Sequence, residues 1–381
     1  MCMGAAMAAS GALSHTELAT GLPLWAISVA MVSTISWRAA ASRQIGVAFN
    51  DSNGFRAPLV HLPPAGLSSL AAADFNRDGH NDVAVGGVIL LGNGRGRLLP
   101  AATFTTMTPD QLRTGDFDRD GNADILTTAV NVNGVFVFLG QGDGTFRPPL
   151  GPFLDDTDLW PEIGDFNNDG VLDAAIAHVF GDTLTILLGT GNGSLIPAAD
   201  YATGDIPQSP VASDFDGDGN LDVAVSNTFG DGLGIYLGNG DGTLQSPLLI
   251  ATSNPLYSAA GDFNQDGNSD LVLGGSGLKL FLGYGNGTFQ PPQTLLSGYE
   301  PISIGDADGD GLSDIMVSED FASLTLLRSK GDGTFKPGIP FPTGEQFVGW
   351  NVLTDLNGDG RPEAVAENLD DAVTVLKNIS R

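Results

Sequence analysis

The chain has 381 residues, 45 acidic against 16 basic, for a net charge of −29, and 53 are glycine. That acidity repels nucleic acid and anionic lipid and makes a cation the natural partner, while 42% apolar residues are too many for a disordered chain. The single cysteine, Cys2, allows no internal disulfide or thiolate zinc site, and His15, His61, His80 and His178 include no two at helical metal-ligand spacing.

Residues 1–44 read as a signal peptide or N-terminal hydrophobic segment. An apolar run from Gly21 to Trp37 is followed by small residues at Ala39 and Ala41, which suit a cut after Ala41, although no Lys or Arg precedes the run. An uncleaved anchor fits less well, because Arg38 and Arg43 would hold the following domain in the cytoplasm. The expectation is an exported protein, secreted or at the cell surface, with one domain over 45–381 that is not embedded in the membrane.

Residues 45–49 look like a strand with no obvious slot, and residues 54–58 (GFRAP) match the later segment 144–149 (GTFRPP). From residue 74 a nine-residue phrase occurs seven times, at 74–82, 116–124, 165–173, 214–222, 262–270, 306–314 and 355–363. Its starts are 42, 49, 49, 48, 44 and 49 residues apart. Each copy precedes a short apolar run such as 83–85 or 271–273, a variable turn, a second run such as 135–139 or 184–188, and a glycine-rich turn such as 140–144 or 238–242. A third segment, often F-x-P-P as at 146–149, and a fourth, such as 301–304, lead to the next phrase. Short Val, Ile, Leu and Phe runs bounded by Gly and Pro are strands, and four strands per unit of this length make a propeller blade. Six full units, three strands of a seventh and one strand from 54–58 predict an all-β, seven-bladed β-propeller. Each blade has four antiparallel strands, and the ring closes by pairing N- and C-terminal strands in one blade.

The phrase reads D-x-[DN]-x-D-G-x-x-[DE]. Oxygens at positions 1, 3 and 5 converge as the loop coils, glycine at 6 permits the turn, a backbone carbonyl at 7 adds a ligand, and the carboxylate at 9 seals the shell. The expected ligands of the first loop are Asp74, Asn76, Asp78, His80 and Asp82, and of the second Asp116, Asp118, Asp120, Asn122 and Asp124. The third offers Asp165, Asn167, Asp169, Val171 and Asp173, and the fourth Asp214, Asp216, Asp218, Asn220 and Asp222. The fifth offers Asp262, Asn264, Asp266, Asn268 and Asp270, the sixth Asp306, Asp308, Asp310, Leu312 and Asp314, and the seventh Asp355, Asn357, Asp359, Arg361 and Glu363. All-oxygen shells select Ca²⁺ over softer metals, so up to seven calcium ions are expected. An EF-hand is excluded, because the last carboxylate stands at position 9 and the loop joins strands. The loops hold 24 of the 45 acidic residues. Extracellular sites of this kind bind at roughly 10⁻⁴ to 10⁻³ M, which suits a structural ion.

These repeats resemble the FG-GAP/VCBS class, whose calcium-loop blades build integrin α-subunit propellers. The likeness covers 45–381 and includes the turn L-G-x-G-[DN]-G-[TS]-[FL] at 139–146, 188–195, 237–244 and 282–289. Departures are Ala307 and Leu356 in place of Phe, which concern packing, and Glu363, a longer last ligand. The resemblance implies a binding or adhesion module, monomeric, with structural calcium and a glycan or protein ligand. The alternatives are a secreted carbohydrate-active lyase or hydrolase and a non-catalytic scaffold subunit.

No catalytic constellation is evident, and the turn 189–193 (GTGNG) opens a strand rather than the helix a phosphate loop requires. The variable turns opposite the Asp loops carry Asp158, Trp160, His178, Phe180, Phe229, Tyr257, Tyr299, Glu300 and Trp350. Aromatic residues there would stack on sugar rings or pack at the rim.

Overall fold

The structure, a computed structural model, describes residues 45–46, 59–60, 69–129, 131–230, 232–297, 301–319, 323–342, 348–368 and 372–376. The expected leader at 1–44, the expected outer strand at 54–58, and Tyr299 and Glu300 lie outside these residues. Every element described is a β-strand, and no helix among the described residues is long and apolar enough to cross a membrane.

The strands form antiparallel meanders in chain order, here sheets 1 (71–103), 2 (109–138), 3 (159–202), 4 (205–250), 5 (255–296), 6 (302–342) and 7 (348–376). This is an all-β propeller of four-strand antiparallel blades. The expected count of seven complete blades is not reached, because five of these sheets have four strands while sheets 2 and 7 have three. In sheet 2 the outer segment contains Pro148, Pro149 and Pro152, which supply no N–H to a ladder. It pairs through a Val137–Leu150 bridge and a 3.0 Å bond from the Phe153 N–H to the Val135 carbonyl. Near sheet 7, Ile45–Gly46 pairs with Leu59–Val60 and runs beside Ala372–Leu376. That is a place for residues 45–46 which the sequence pattern did not supply.

Each Asp phrase is the hairpin between the first and second strands of its sheet, and the position-9 acid opens the second strand. Asp82 pairs with Ala73, Asp173 with Gly164, Asp222 with Ser213 and Glu363 with Thr354. Second strands such as Asp124–Ala129 and Asp173–His178 are wholly buried, whereas the outer strand Leu195–Ala202 buries only Leu195. Consecutive sheets share apolar clusters. Ala175, Ala177 and Ile186 of sheet 3 meet Val223, Val225 and Tyr236 of sheet 4, and Ala224 and Ile235 of sheet 4 meet Leu271 and Phe281 of sheet 5. Phe75, Phe117, Phe166, Phe215 and Phe263 at position 2 are no more than 1% exposed, and each stabilises the fold by roughly 1.5–3 kcal/mol through burial. Ala307 and Leu356 lie buried in the same place.

Neighbouring sheets are also latched by backbone. The N–H of Gly144, Gly193, Gly242, Gly287 and Gly333, in the glycine-rich turns, donates to the carbonyl of Phe75, Phe117, Phe166, Phe215 and Phe263 of the preceding sheet at 2.9–3.1 Å. The first glycine of that turn is required for a different reason. A Cβ on Gly238 would lie 2.2 Å from the Leu221 carbonyl oxygen, a backbone atom that cannot move aside alone. Gly238→Ala is therefore expected to destabilise by roughly 2–4 kcal/mol, read by denaturant unfolding. An unchanged midpoint would contradict this close approach.

Candidate metal loops

The seven loops repeat one hydrogen-bond scheme. The position-1 carboxylate accepts the position-6 glycine N–H, as in Gly79 to Asp74, Gly170 to Asp165 and Gly360 to Asp355 at 2.7–2.9 Å. The position-5 carboxylate accepts the position-7 N–H, as in His80 to Asp78, Val171 to Asp169 and Arg361 to Asp359 at 2.7–3.0 Å. Glycine at 6 is left-handed in every loop, for example Gly219 at φ +90°. Position 4 is left-handed too, with φ near +60° at Arg77, Arg119, Asn168 and Gln265. This was missed in the sequence, although the glycines at 217, 309 and 358 were its signal.

The position-9 acids are fully buried at Asp82, Asp124, Asp173, Asp222, Asp270, Asp314 and Glu363. One oxygen accepts the position-2 N–H, from Phe75, Phe117, Phe166, Phe215, Phe263, Ala307 or Leu356, at 2.8–3.0 Å. In sheets 1 to 6 the other accepts the turn N–H of Gly92, Gly140, Gly189, Gly238, Gly283 or Ser329 at 2.7–2.8 Å. The carboxylate therefore ties the Asp loop to the glycine-rich turn as well as facing the other acids. Burial pushes Asp82, Asp124, Asp173, Asp222, Asp270 and Asp314 up to about 6, against the pull of these N–H donors, and the other loop acids add to the rise.

Loops 1, 3, 5 and 7 carry Asn at position 3. The amides of Asn76, Asn167 and Asn264 donate to Asp78, Asp169 and Asp266 at 2.9–3.0 Å, and that of Asn357 donates to Glu363 at 2.6 Å. Loops 2, 4 and 6 carry Asp there. Oxygens of Asp116, Asp118 and Asp124, of Asp214, Asp216 and Asp218, and of Asp306, Asp308 and Asp314 come within 4.8 Å of one another. Desolvation, with neighbouring acids, raises the Asp118 and Asp216 carboxyls above their usual range. Asp308 Oδ1 is buried without a hydrogen-bond partner, which a cation would satisfy. A hard-oxygen donor set with an orphaned carboxylate oxygen fits Ca²⁺.

At the opposite end the residues singled out from sequence separate into two groups. Trp160, Tyr257 and Trp350, on first strands of sheets 3, 5 and 7, pack on one another with ring centroids 5.4–6.2 Å apart. They pack on one another, as the packing alternative expected, but from strands and not from turns. Phe180, in a turn of sheet 3, is 70% exposed. His178 is buried between Asp156 and Thr185, at 3.0 and 2.9 Å, and Thr185 donates its proton to Asp200 at 2.6 Å. Asp156, His178, Thr185 and Asp200 thus form one hydrogen-bonded row, in which the roles of the two ring nitrogens follow the His178 tautomer. The His178 hydrogen bond holds Asp156 below the ordinary carboxylate range.

Several solved structures share the fold. A lectin from Agrocybe aegerita, described as recognising non-reducing terminal N-acetylglucosamine, is 18% identical over 87% of this chain and 96% of its own, with a TM-score of 0.57. BBS1N in complex with ARL6DN is 12% identical over 90% and 99%, with a TM-score of 0.58. A functionally unknown protein from Desulfotomaculum acetoxidans DSM 771 is 14% identical over 76% and 90%, with a TM-score of 0.53. At such identities the likeness is one of fold. No curated protein matches in sequence. The FG-GAP-like repeat model matches five overlapping spans, residues 116–176, 165–225, 214–273, 262–317 and 306–366, and the chain belongs to the FG-GAP-like repeat family.

Proposed function

We propose that the protein is an exported binding or adhesion module, a calcium-stapled propeller whose ions are structural and whose ligand, a glycan or a protein, sits at the end opposite the Asp loops. The observation that carries this reading is the recurrence of one oxygen-lined hairpin in all seven loops, with Asp308 Oδ1 left unpartnered in one of them. Calcium would be held by the side chains at positions 1, 3, 5 and 9 and the carbonyl at 7. Residues 1–44 are assigned as the export signal and 45–381 as the propeller.

The sheets are assigned as blades of one ring, with sheet 7 set against sheet 1. Leu356, Val365, Val373 and Val375 of sheet 7 share a cluster with Val83, Val85 and Leu90 of sheet 1, and Asn81 donates to Thr354 at 3.0 Å. Trp160, Tyr257 and Trp350 come from alternate sheets and still touch, as first strands around a common axis permit.

The exposed Phe180 ring supports a ligand site among the variable turns, and a glycan-recognising lectin is among the proteins of similar fold. The test is a glycan array probed with calcium, then with chelator. A calcium-dependent glycan signal reduced roughly tenfold by Phe180→Ala is expected. Polysaccharide turnover, or no glycan and no protein ligand under either condition, would sink the binding-module reading.

A further inference from the structure

The seven loops differ in what stands beside their acids. In sheet 2 the residue after the turn phenylalanine is Arg147, whose guanidinium lies 3.3 Å from Asp118 Oδ2 and 3.7 Å from Asp120 Oδ2, at positions 3 and 5 of loop 2. In sheet 6 the same place is held by Lys336, whose ammonium lies 3.2 Å from Asp308 Oδ2 and 3.6 Å from Asp310 Oδ2, again positions 3 and 5. Arg328 joins it at 3.6 Å from Asp308. Two blades thus place a cation on the same pair of carboxylates from the same point in the repeat.

The corresponding residues of sheets 1, 3, 4 and 5 are Leu99, Ile196, Gln245 and Gln290, all uncharged. Loops 1, 3 and 5 carry Asn at position 3 and one acid fewer. Loop 4 is the exception. It has the four acids of loops 2 and 6 but carries Gln245 at the corresponding place in the repeat, and among the described residues no ion pair involves Asp214, Asp216, Asp218 or Asp222. Arg119 also reaches loop 3, 3.8 Å from the position-5 carboxylate of Asp169 and donating to its carbonyl at 2.9 Å, with both side chains about half exposed.

We infer that Arg147 and Lys336 are resident counter-cations that make loops 2 and 6 the weak calcium sites of this chain and leave loop 4 as the tightest. This rests on the calcium reading above. An incoming ion needs the position-3 and position-5 oxygens at 2.3–2.6 Å, which the guanidinium and ammonium already engage, and it must share or displace them. Without calcium the same cations offset the repulsion among four acids and keep those two loops closed. Loop 4 has no such relief and gains most from the ion.

Calcium titration by calorimetry, with bound ions counted by native mass spectrometry, tests this on the full chain and two variants. In Arg147→Gln/Lys336→Gln, two sites are expected to tighten by about tenfold. In Gln245→Arg, a change at an exposed side chain that leaves folding intact, one tight site is expected to weaken by a similar factor. In chelator the double variant is expected to melt below the unsubstituted protein, and in saturating calcium not below it. Normal uptake with unchanged affinities in both variants overturns this inference alone. No uptake by the unsubstituted protein overturns it together with the calcium reading.

Discussion

Asp222→Ala is expected to lower the unfolding free energy by about 3–5 kcal/mol, and the melting temperature by roughly 5–10 °C, in chelator as well as in calcium. Asp222 is fully buried, and its two oxygens accept the Phe215 N–H at 2.8 Å and the Gly238 N–H at 2.7 Å. Alanine leaves both donors buried without acceptors, and a charge-assisted bond to a buried backbone N–H is worth about 1.5–3 kcal/mol. Asp222→Asn keeps one acceptor and is expected to lose about half as much. The persistence of the loss in chelator separates the staple from the metal site. A variant as stable as the parent once calcium is removed would mean that position 9 serves the ion alone.

Calcium and pH act on the same acids in opposite senses. The native carboxyls of Asp82, Asp124, Asp173, Asp222, Asp270 and Asp314 are pushed up to about 6 from 3.8. Between those values the folded chain holds more protons than the unfolded one, so metal-free stability falls as pH rises from about 4 to 6 and then levels off. Calcium binds the ionised form, so its stabilisation grows over the same interval. At about 10 mM calcium and dissociation constants of roughly 10⁻⁴ to 10⁻³ M, each occupied site adds about 1.4–2.7 kcal/mol. Melting temperatures compared between pH 4.5 and 7 should therefore fall with pH in chelator and fall much less, or stay level, in calcium. Parallel pH slopes in the two conditions would contradict the coupling.

Local features were legible in the sequence and features that need the third dimension were not. The Asp phrases, the strands flanking them and the buried position-2 phenylalanines lie close together in the chain and recur, so periodicity alone located them. Position 9 was legible as an acid facing a metal, but not as the acceptor for Gly238, because that bond spans 16 residues and the turn between. Trp160, Tyr257 and Trp350 read as residues of separate variable turns, since nothing in a linear pattern brings first strands of separate sheets into contact. The repeat pattern predicts a fourth strand in sheet 2 that the structure does not form. The F-x-P-P phrase precedes a paired outer strand at Gln293–Leu296 in sheet 5, but in sheet 2 a third proline, Pro152, removes a further N–H from the segment and leaves only isolated pairing. Arg147 and Lys336 left a visible trace, a basic residue after the turn phenylalanine in repeats with Asp at position 3. Its meaning required the distances to Asp118 and Asp308.

Calcium binding itself is tested most directly by stripping the purified protein with chelator and counting ions as calcium is restored, with melting followed in parallel. Uptake of several ions per chain, up to seven, accompanied by a rise in melting temperature, is the predicted result. Protein that takes up none, and melts at the same temperature in chelator and in millimolar calcium, would contradict the account.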